Sequence, residues 1–240
     1  MVARKPFFFI TALLVFGALG LWAGDAASFV DLGFSPDGKI YMFAQYGVQS
    51  GTLRPWADLF VVDVPQNNFV SGGRLSYTHD KAVIAGQDGS GALYRIISRN
   101  TLAERYGVNY LLQGQPLFIS LENGNTAAAG NTAEGGGETI EFRDFEQGAS
   151  YRAALIPYVE GSGVGLKSSF YINVDRTSRD GTKKSYVVGT PQLKRPLIVS
   201  YRIRKVIVAP QDGSVIFVVE IKKQGEDGYD LRYMVEALRL

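Results

Sequence analysis

The chain has 240 residues with a formal net charge of +2 at pH 7, and 46% of its residues are apolar. This composition is ordinary for a folded protein with a core, and the near-neutral charge provides no overall field to attract nucleic acid. The sequence contains no cysteine and one histidine. Disulfides, a thiolate nucleophile and the usual zinc sites, which need several cysteine or histidine ligands, are therefore excluded.

The amino terminus has the order of a secretory signal peptide. A short positive start precedes an uncharged apolar run over 7–22, and small residues follow it. This pattern predicts a signal peptide over 1–26 that is cleaved after Ala26. The alternative is an uncleaved membrane anchor, although the run is short for a span of about 20 residues and glycines interrupt it. A cysteine-free exported chain fits a bacterial periplasmic or secreted protein.

Most of the remaining sequence consists of short apolar runs separated by glycine and proline. Such runs, rich in aromatic and β-branched residues, predict strands. We predict strands over 39–46, 57–64, 138–145, 151–159, 166–175, 184–189, 197–209, 214–222 and 230–238. The last of these has its apolar residues mainly on one face, as in a half-buried strand. Residues 27–240 are therefore predicted to form a single, mainly β domain with propeller-like or sandwich-like antiparallel sheets.

Two segments depart from the strand pattern. Residues 90–106 have apolar residues at helical spacing, with Ser90 as a possible cap and Gly107 after the end, which predicts one amphipathic helix. Residues 122–137 are small and polar throughout, with many glycines, which predicts a mobile loop within the domain.

The segment FSPDGKI contains Ser35-Pro36-Asp37-Gly38 between two apolar runs. Proline presets φ at the second position of a turn, aspartate tolerates the third, and glycine accepts a positive φ at the fourth. Asp37 as a metal ligand would need several oxygen partners, and the local sequence supplies none. The segment is therefore predicted to be a tight hairpin turn rather than a ligand site.

The same turn pattern recurs near the carboxyl terminus. Residues 206–221, VIVAPQDGSVIFVVEI, are similar to residues 30–45, VDLGFSPDGKIYMFAQ, and a further strand follows each. The pattern resembles the WD40-like repeat of TolB-type β-propellers, which implies strands joined within a blade. The other Asp-Gly pairs have no fixed period, so a closed propeller of regular repeats is not indicated.

A broader resemblance covers nearly the whole chain after the predicted signal peptide. The stretches LGFSPDGKIYMFAQYGVQSG, ADLFVVDV, AERYGV, YRIRKVIVAP and DLRYMVEAL occur in this order. They are similar to a family of predicted secreted proteins of Gram-negative bacteria, a domain of unknown function. The resemblance implies export and a single structural unit, and it brings no catalytic residues with it.

The candidate catalytic groups are few. His79 adjoins Asp80, but neighbouring residues of a strand point apart and no Gly-x-Ser-x-Gly elbow is present, so we interpret His79 as a surface residue. Glycosidase chemistry needs two carboxylates about 5–10 Å apart. Candidates are Asp175 with Asp180, and the acidic cluster in GEDGYD at 225–230. Both lie beside glycines, where aspartate commonly stabilises a turn.

Two further segments could bind a ligand. Arg202 and Arg204 would share one face of a strand and could contact phosphate, or they could form a solvated face that discourages edge pairing. The loop over 45–56 is longer than a hairpin needs. Within it, aromatic, arginine and amide side chains suit a recognition surface, although the aromatic residues could instead cap the core. The predicted binding residues are Gln45, Tyr46, Arg54 and Trp56.

These observations favour an exported envelope protein that is a non-enzymatic β scaffold and binds a protein or glycan partner through its loops. The alternative is a carboxylate-dependent hydrolase that acts on envelope carbohydrate. We expect no cofactor, no metal and no nucleic acid partner, and membrane contact only through an uncleaved signal segment.

Overall fold

The computed structural model describes residues 24–120, 137–225 and 228–240. Residues 1–23 of the predicted signal peptide lie outside the described residues. The same is true of residues 122–136 of the predicted loop and of Glu226 and Asp227.

Strands make up most of the described chain, which confirms the mainly β prediction. In chain order the elements are β1 (Ser28–Phe34), β2 (Ile40–Val48), β3 (Pro55–Asp63), β4 (Asn68–Thr78), α1 (Ser90–Ser98), α2 (Leu102–Arg105), β5 (Gln115–Ile119), β6 (Glu138–Asp144), β7 (Ala149–Glu160), β8 (Lys167–Thr177), β9 (Lys183–Val188), β10 (Arg195–Pro196), β11 (Ile198–Val208), β12 (Val215–Gln224) and β13 (Tyr229–Leu238). A single 3₁₀ turn, Gly163–Gly165, precedes β8.

The strands form three antiparallel sheets. Sheet 1 has the order β1-β2-β3-β4. Sheet 2 has the order β10-β8-β7-β6, with β9 also paired to β8, and sheet 3 has the order β13-β12-β11-β5. Each sheet contains a meander of consecutive hairpins, and the three sheets of the described chain do not close into a barrel.

Sheet 3 lies between the other two sheets. Its strand β12 sends Val215, Phe217 and Val219 into the core shared with sheet 2. The alternate residues Ile216 and Val218 enter the core shared with sheet 1. The sequence VIFVV is an unbroken apolar run because a strand that is covered on both faces has no solvent side.

The opposite face of sheet 1 is covered by the two helices. Ala92, Ile96 and Leu102 pack there against apolar residues of β2 and β3. Among the described residues, neither helix combines the length and the apolar character that a bilayer crossing would require. The layers therefore run from the helices through sheet 1 and sheet 3 to sheet 2.

Strand β13 is integral to sheet 3, as predicted, since it pairs with β12 along its whole length. The expectation that only one face is buried is wrong. Val235 and Ala237 pack towards sheet 1, while Met234 and Leu238 pack towards sheet 2. The sequence of β13 does not predict burial of both faces, because it places polar residues such as Glu236 on the second face. In the structure Glu236 is itself buried.

The predicted helix over 90–106 is present but interrupted. It ends at Ser98, and a second short helix begins at Leu102. The side-chain amide of Asn100 donates hydrogen bonds to the carbonyls of Ile96 and Ile97 (3.2 Å to Ile97 O), and its oxygen accepts one from Leu102 N at 2.8 Å. Asparagine competes with the helical hydrogen bonds in this way, and the chain turns where it does so.

The segment 35–38 is a hairpin turn, as predicted. Gly38 N donates to Ser35 O at 2.9 Å, and Gly38 has a φ of 71°. The Ser35 hydroxyl donates to Asp37 Oδ1 at 2.7 Å. This bond, together with the backbone N–H of Lys39, lowers the pKa of Asp37 to about 2.

Three hairpin turns, one from each sheet, contact one another at the same end of the layers. A Cβ at Gly38, in the β1–β2 turn, would lie 3.1 Å from Oδ1 of Asp212 in the β11–β12 turn. A Cβ at Gly213 would lie 2.8 Å from Nε2 of Gln147 in the β6–β7 turn. The two similar segments found in the sequence are thus equivalent hairpins of neighbouring sheets.

We predict that Gly38→Ala destabilises the protein more than Gly181→Ala does. Both glycines have positive φ, +71° and +83°, but only Gly38 has a neighbour within 4 Å. Both substitutions carry a strain of about 1–2 kcal/mol, and the contact with Asp212 adds about 1 kcal/mol at Gly38. Urea unfolding measures the difference. Equal losses would show that the stacked turns contribute nothing.

We also predict that Val235→Asp prevents stable folding, because it places an unpaired carboxylate between sheets 1 and 3. Its cost of about 3–5 kcal/mol is a large part of a typical stability of about 5–15 kcal/mol. Val187→Asp is the matched control, since Val187 is 67% exposed on β9. Thermal melts should show a large loss only for the first variant. A similar melting temperature for both would contradict the layered core.

Candidate functional site

Three of the four predicted binding residues are built into the fold. Gln45 is 4% exposed. Its amide donates to Asp58 Oδ2 at 3.2 Å and accepts from Tyr233 N at 2.7 Å. Trp56 is also buried, beneath the guanidinium of Arg232 at 4.2 Å from the ring centroid. Tyr46 packs at the edge of the core under the helices.

Arg54, the fourth predicted residue, holds a neighbouring loop in place. Its guanidinium donates to the carbonyl oxygen of Asp80 from Nε at 3.2 Å and from Nη2 at 3.1 Å. Beside this contact, His79 N donates to Pro55 O at 2.9 Å and Val83 N donates to Leu53 O at 2.8 Å. The segment after β4 is therefore fixed against the loop between β2 and β3.

A cleft of about 820 Å³ lies between this segment and α1. Its volume is in the range of about 300–1,000 Å³ that is usual for ligand sites. The lining is rich in positively charged and titratable side chains: His79, Lys81, Arg95 and Arg99. We refer to it as the basic cleft.

The carboxylate of Asp88, which lines the basic cleft, is hydrogen-bonded to Ser90 at the start of α1. Asp88 Oδ1 accepts hydrogen bonds from Ser90 N at 2.9 Å and from the Ser90 hydroxyl at 2.5 Å. These bonds lower the pKa of Asp88, so it stays ionised at the start of α1. Within the described part of the chain, no carboxylate lies within 4.0 Å of the charged nitrogens of Lys81, Arg95 or Arg99.

Aromatic rings accompany these cations. The Arg95 guanidinium lies 5.0 Å from the centroid of Tyr77, and the Tyr77 ring meets His79 edge to face at 6.3 Å. Tyr94, the residue before Arg95 in α1, is 74% exposed at the cleft. Stacking on Tyr77 limits the motion of Arg95, which leaves its charge at a fixed position. The arrangement can hold an anionic group without any covalent chemistry.

His79 is partly exposed and has no triad around it. Its Nδ1 accepts from Lys81 N at 2.9 Å and lies 3.1 Å from Asp80 Oδ1. No serine or threonine hydroxyl is hydrogen-bonded to His79 in the described residues. Across these residues there is also no group of three or more histidine, aspartate or glutamate side chains that could hold a metal ion.

The predicted carboxylates that the structure describes serve local roles. Asp180 accepts from Thr182 N at 2.9 Å, and Asp230 accepts from Asp25 N at 3.0 Å. Asp175 lies in a row across sheet 2 in which Arg152 separates it from Glu141. With strands about 4.8 Å apart, the two acids are about 10 Å apart at Cα. Glu141 Oε1 lies 3.8 Å from Arg152 Nε, whereas Asp175 Oδ1 accepts a hydrogen bond from the Ser185 hydroxyl at 2.6 Å, so each acid has a separate local partner.

The two arginines of β11 differ in their environments. Arg204 Nη2 lies 2.7 Å from Glu220 Oε2, and both side chains are largely buried. Arg202 is exposed beside them. This region is therefore an ion-paired part of sheet 3 rather than an open phosphate site.

Sequence reasoning missed the basic cleft. Arg95 lies in α1 and Arg99 directly follows its last residue, and the spacing of four residues is a local signal that the two side chains lie on the same side. Lys81 comes from a segment with no periodic pattern, and this segment is fixed in place by long-range hydrogen bonds to Arg54, Pro55 and Leu53.

Comparison with known proteins gives one match. A family described as Predicted secreted protein (DUF2259) matches residues 42–239, from β2 to β13. No curated protein and no solved structure matches the chain. The match covers most of the chain and agrees with the resemblance found in the sequence, including its prediction of export. The chain therefore belongs to the DUF2259 family of predicted secreted proteins.

Proposed function

We propose that this protein is a non-enzymatic binding module of the bacterial cell envelope and that it recognises an acidic glycan in the basic cleft. The observation that carries the proposal is a set of three cations, Lys81, Arg95 and Arg99, which line one concave surface and have no carboxylate partner among the residues that the structure describes. Three like charges that converge on a cleft repel one another, and a bound anion relieves this repulsion.

The shape of the site favours a glycan over a protein partner. Protein interfaces are typically broad, with charged residues depleted at their centre. The basic cleft is instead concave, and its charges line the cavity itself. An oligosaccharide with uronic acid groups can place its carboxylates against the guanidinium groups of Arg95 and Arg99. Its apolar ring faces can then lie on the exposed side of Tyr94.

Recognition in this site is electrostatic and directional. Arginine offers paired N–H donors that match both oxygens of a carboxylate, whereas Lys81 contributes a point charge on a flexible stem. Because the site is open, the attraction is screened by salt. Affinity should therefore decrease as ionic strength increases.

We predict that Arg99→Ala weakens binding of an acidic oligosaccharide about tenfold, since a hydrogen bond to a charged group contributes about 1.5–3 kcal/mol. Arg105→Ala is the matched control, because Arg105 is an exposed arginine of α2 outside the basic cleft. Isothermal titration with an oligo-uronate, and with a neutral oligosaccharide of equal length, gives the affinities.

Equal binding of the charged and neutral sugars, or equal effects of the two variants, would contradict this proposal. Release of new reducing ends during the titration would favour the hydrolase alternative. Failure to bind either sugar, with capture of an acidic protein instead, would favour a protein partner.

We also predict that Arg54→Met weakens binding of the acidic oligosaccharide, although Arg54 does not line the basic cleft. The substitution removes both hydrogen bonds to Asp80 O, so the segment that carries Lys81 loses its support. Hydrogen exchange at the amide of Val83 should accelerate, and the affinity should decrease several-fold. Arg105→Met provides the control. Unchanged exchange at Val83 would show that Arg54 does not position this segment.

A further inference from the structure

We infer that the exported chain is cut on the amino-terminal side of Gly24, so that Asp25 remains in the mature protein. This inference rests on export of the chain and concerns residues outside the basic cleft. It is an alternative to the expected cut after Ala26, which would remove the contacts that Asp25 makes with Arg232 and Ser50.

Residues 24–27 add a short parallel strand to the edge of β13. Leu231 N donates to Asp25 O at 2.7 Å, and Ala27 N donates to Leu231 O at 3.1 Å. Ala26 and Leu231 form a parallel bridge. The approach is close, because a Cβ at Gly24 would lie 2.0 Å from Tyr229 O. Glycine is therefore required at this position, and the edge of sheet 3 is covered at Leu231.

The side chain of Asp25 is the centre of a polar cluster. It is 7% exposed, its Oδ2 lies 3.1 Å from Arg232 Nη2, and its Oδ1 accepts from Ser50 N at 2.5 Å. Arg232 Nη1 also donates to the Asp25 carbonyl at 3.1 Å. The same guanidinium stacks on Trp56 at 4.2 Å. One carboxylate thus joins β13, the β2–β3 loop and the buried tryptophan.

A cut after Ala26 would leave this cluster incomplete. Arg232 would keep the more distant carboxylate of Asp230, at 3.8 Å, and the carbonyl of Leu231. Ser50 N would lose its acceptor. Removing one partner of a largely buried ion pair is strongly destabilising, because the remaining charge stays out of water without compensation.

The sequence offers cuts upstream that keep the cluster. Ala18 and Gly20 are small residues in the spacing that the peptidase needs, for a cut after Gly20. A cut after Ala23 has a small residue at its last position but Leu21 two positions earlier, so it meets only one of the two requirements. Both leave Gly24 and Asp25 in the exported chain.

The first experiment identifies the amino terminus of the protein exported by bacteria that express the full chain. Intact mass and amino-terminal peptide sequencing should find Leu21 or Gly24 as the first residue. A chain that begins at Ala27 would overturn the inference. So would recovery of the uncut Met1 form as the main species.

The second experiment tests the physical reason. Chains that begin at Gly24 and at Ala27 are compared in thermal melts, each with and without Arg232→Met. With Arg232 present, the shorter chain should melt about 5–15 °C lower, or fail to fold. With Arg232→Met the gap should narrow, because the shorter chain then has no unpaired guanidinium and the longer chain has also lost the ion pair between Asp25 and Arg232. Equal melting temperatures in the presence of Arg232 would overturn the inference.

Discussion

The structure depends on the burial of sheet 3 on both faces. Strand β12 supplies apolar side chains to two cores at once, and each outer sheet needs that strand to cover its own inner face. After the apolar run that ends at Val219, β12 contains mostly polar residues and becomes less buried. Glu220 follows the apolar run and is paired with Arg204 rather than left unpaired. Burial of a charge there is tolerated because its partner and further hydrogen bonds accompany it.

Two regions of the molecule differ in how their polar groups are used. One is the end of the layers where the three turns stack, and the other is the basic cleft. At the turns, glycines allow backbones and side chains of three hairpins to approach closely, and aspartates such as Asp144 satisfy backbone N–H groups. Asp212 Oδ2 and Ser214 Oγ, at the β11–β12 turn, are exceptions, since they are buried without a hydrogen-bond partner in the described part of the chain. In the cleft, three cations lack such internal partners among the described residues. Closely packed turns and a cleft lined by cations that have no carboxylate partner in the described residues thus coexist in one scaffold.

The sequence predicts what local patterns determine. Apolar alternation located most strands to within a few residues, and the Ser-Pro-Asp-Gly segment forms the expected turn. Strand β4 was missed because it is an edge strand with Gly72 and Gly73, which weaken the pattern. The composition of the loop over 45–56 predicts a recognition surface, yet the Trp56 ring is buried under Arg232. Which side chains meet across the layers depends on long-range contacts that no local window contains.

The pairing of Asp25 with Arg232 joins residues 207 positions apart in the chain. Contacts of such separation form late, because a long loop must close before they contribute any stability. Sheet 3 also contains a pairing between distant segments, since Ile119 of β5 pairs with Lys205 of β11. Sheet 1 is a local meander, but the core on its inner face is completed only by strands β11, β12 and β13, which come last in the chain. Sheet 1 therefore leaves the apolar side chains of Phe34, Tyr41 and Phe43 uncovered until the carboxyl-terminal strands are available to pack on them.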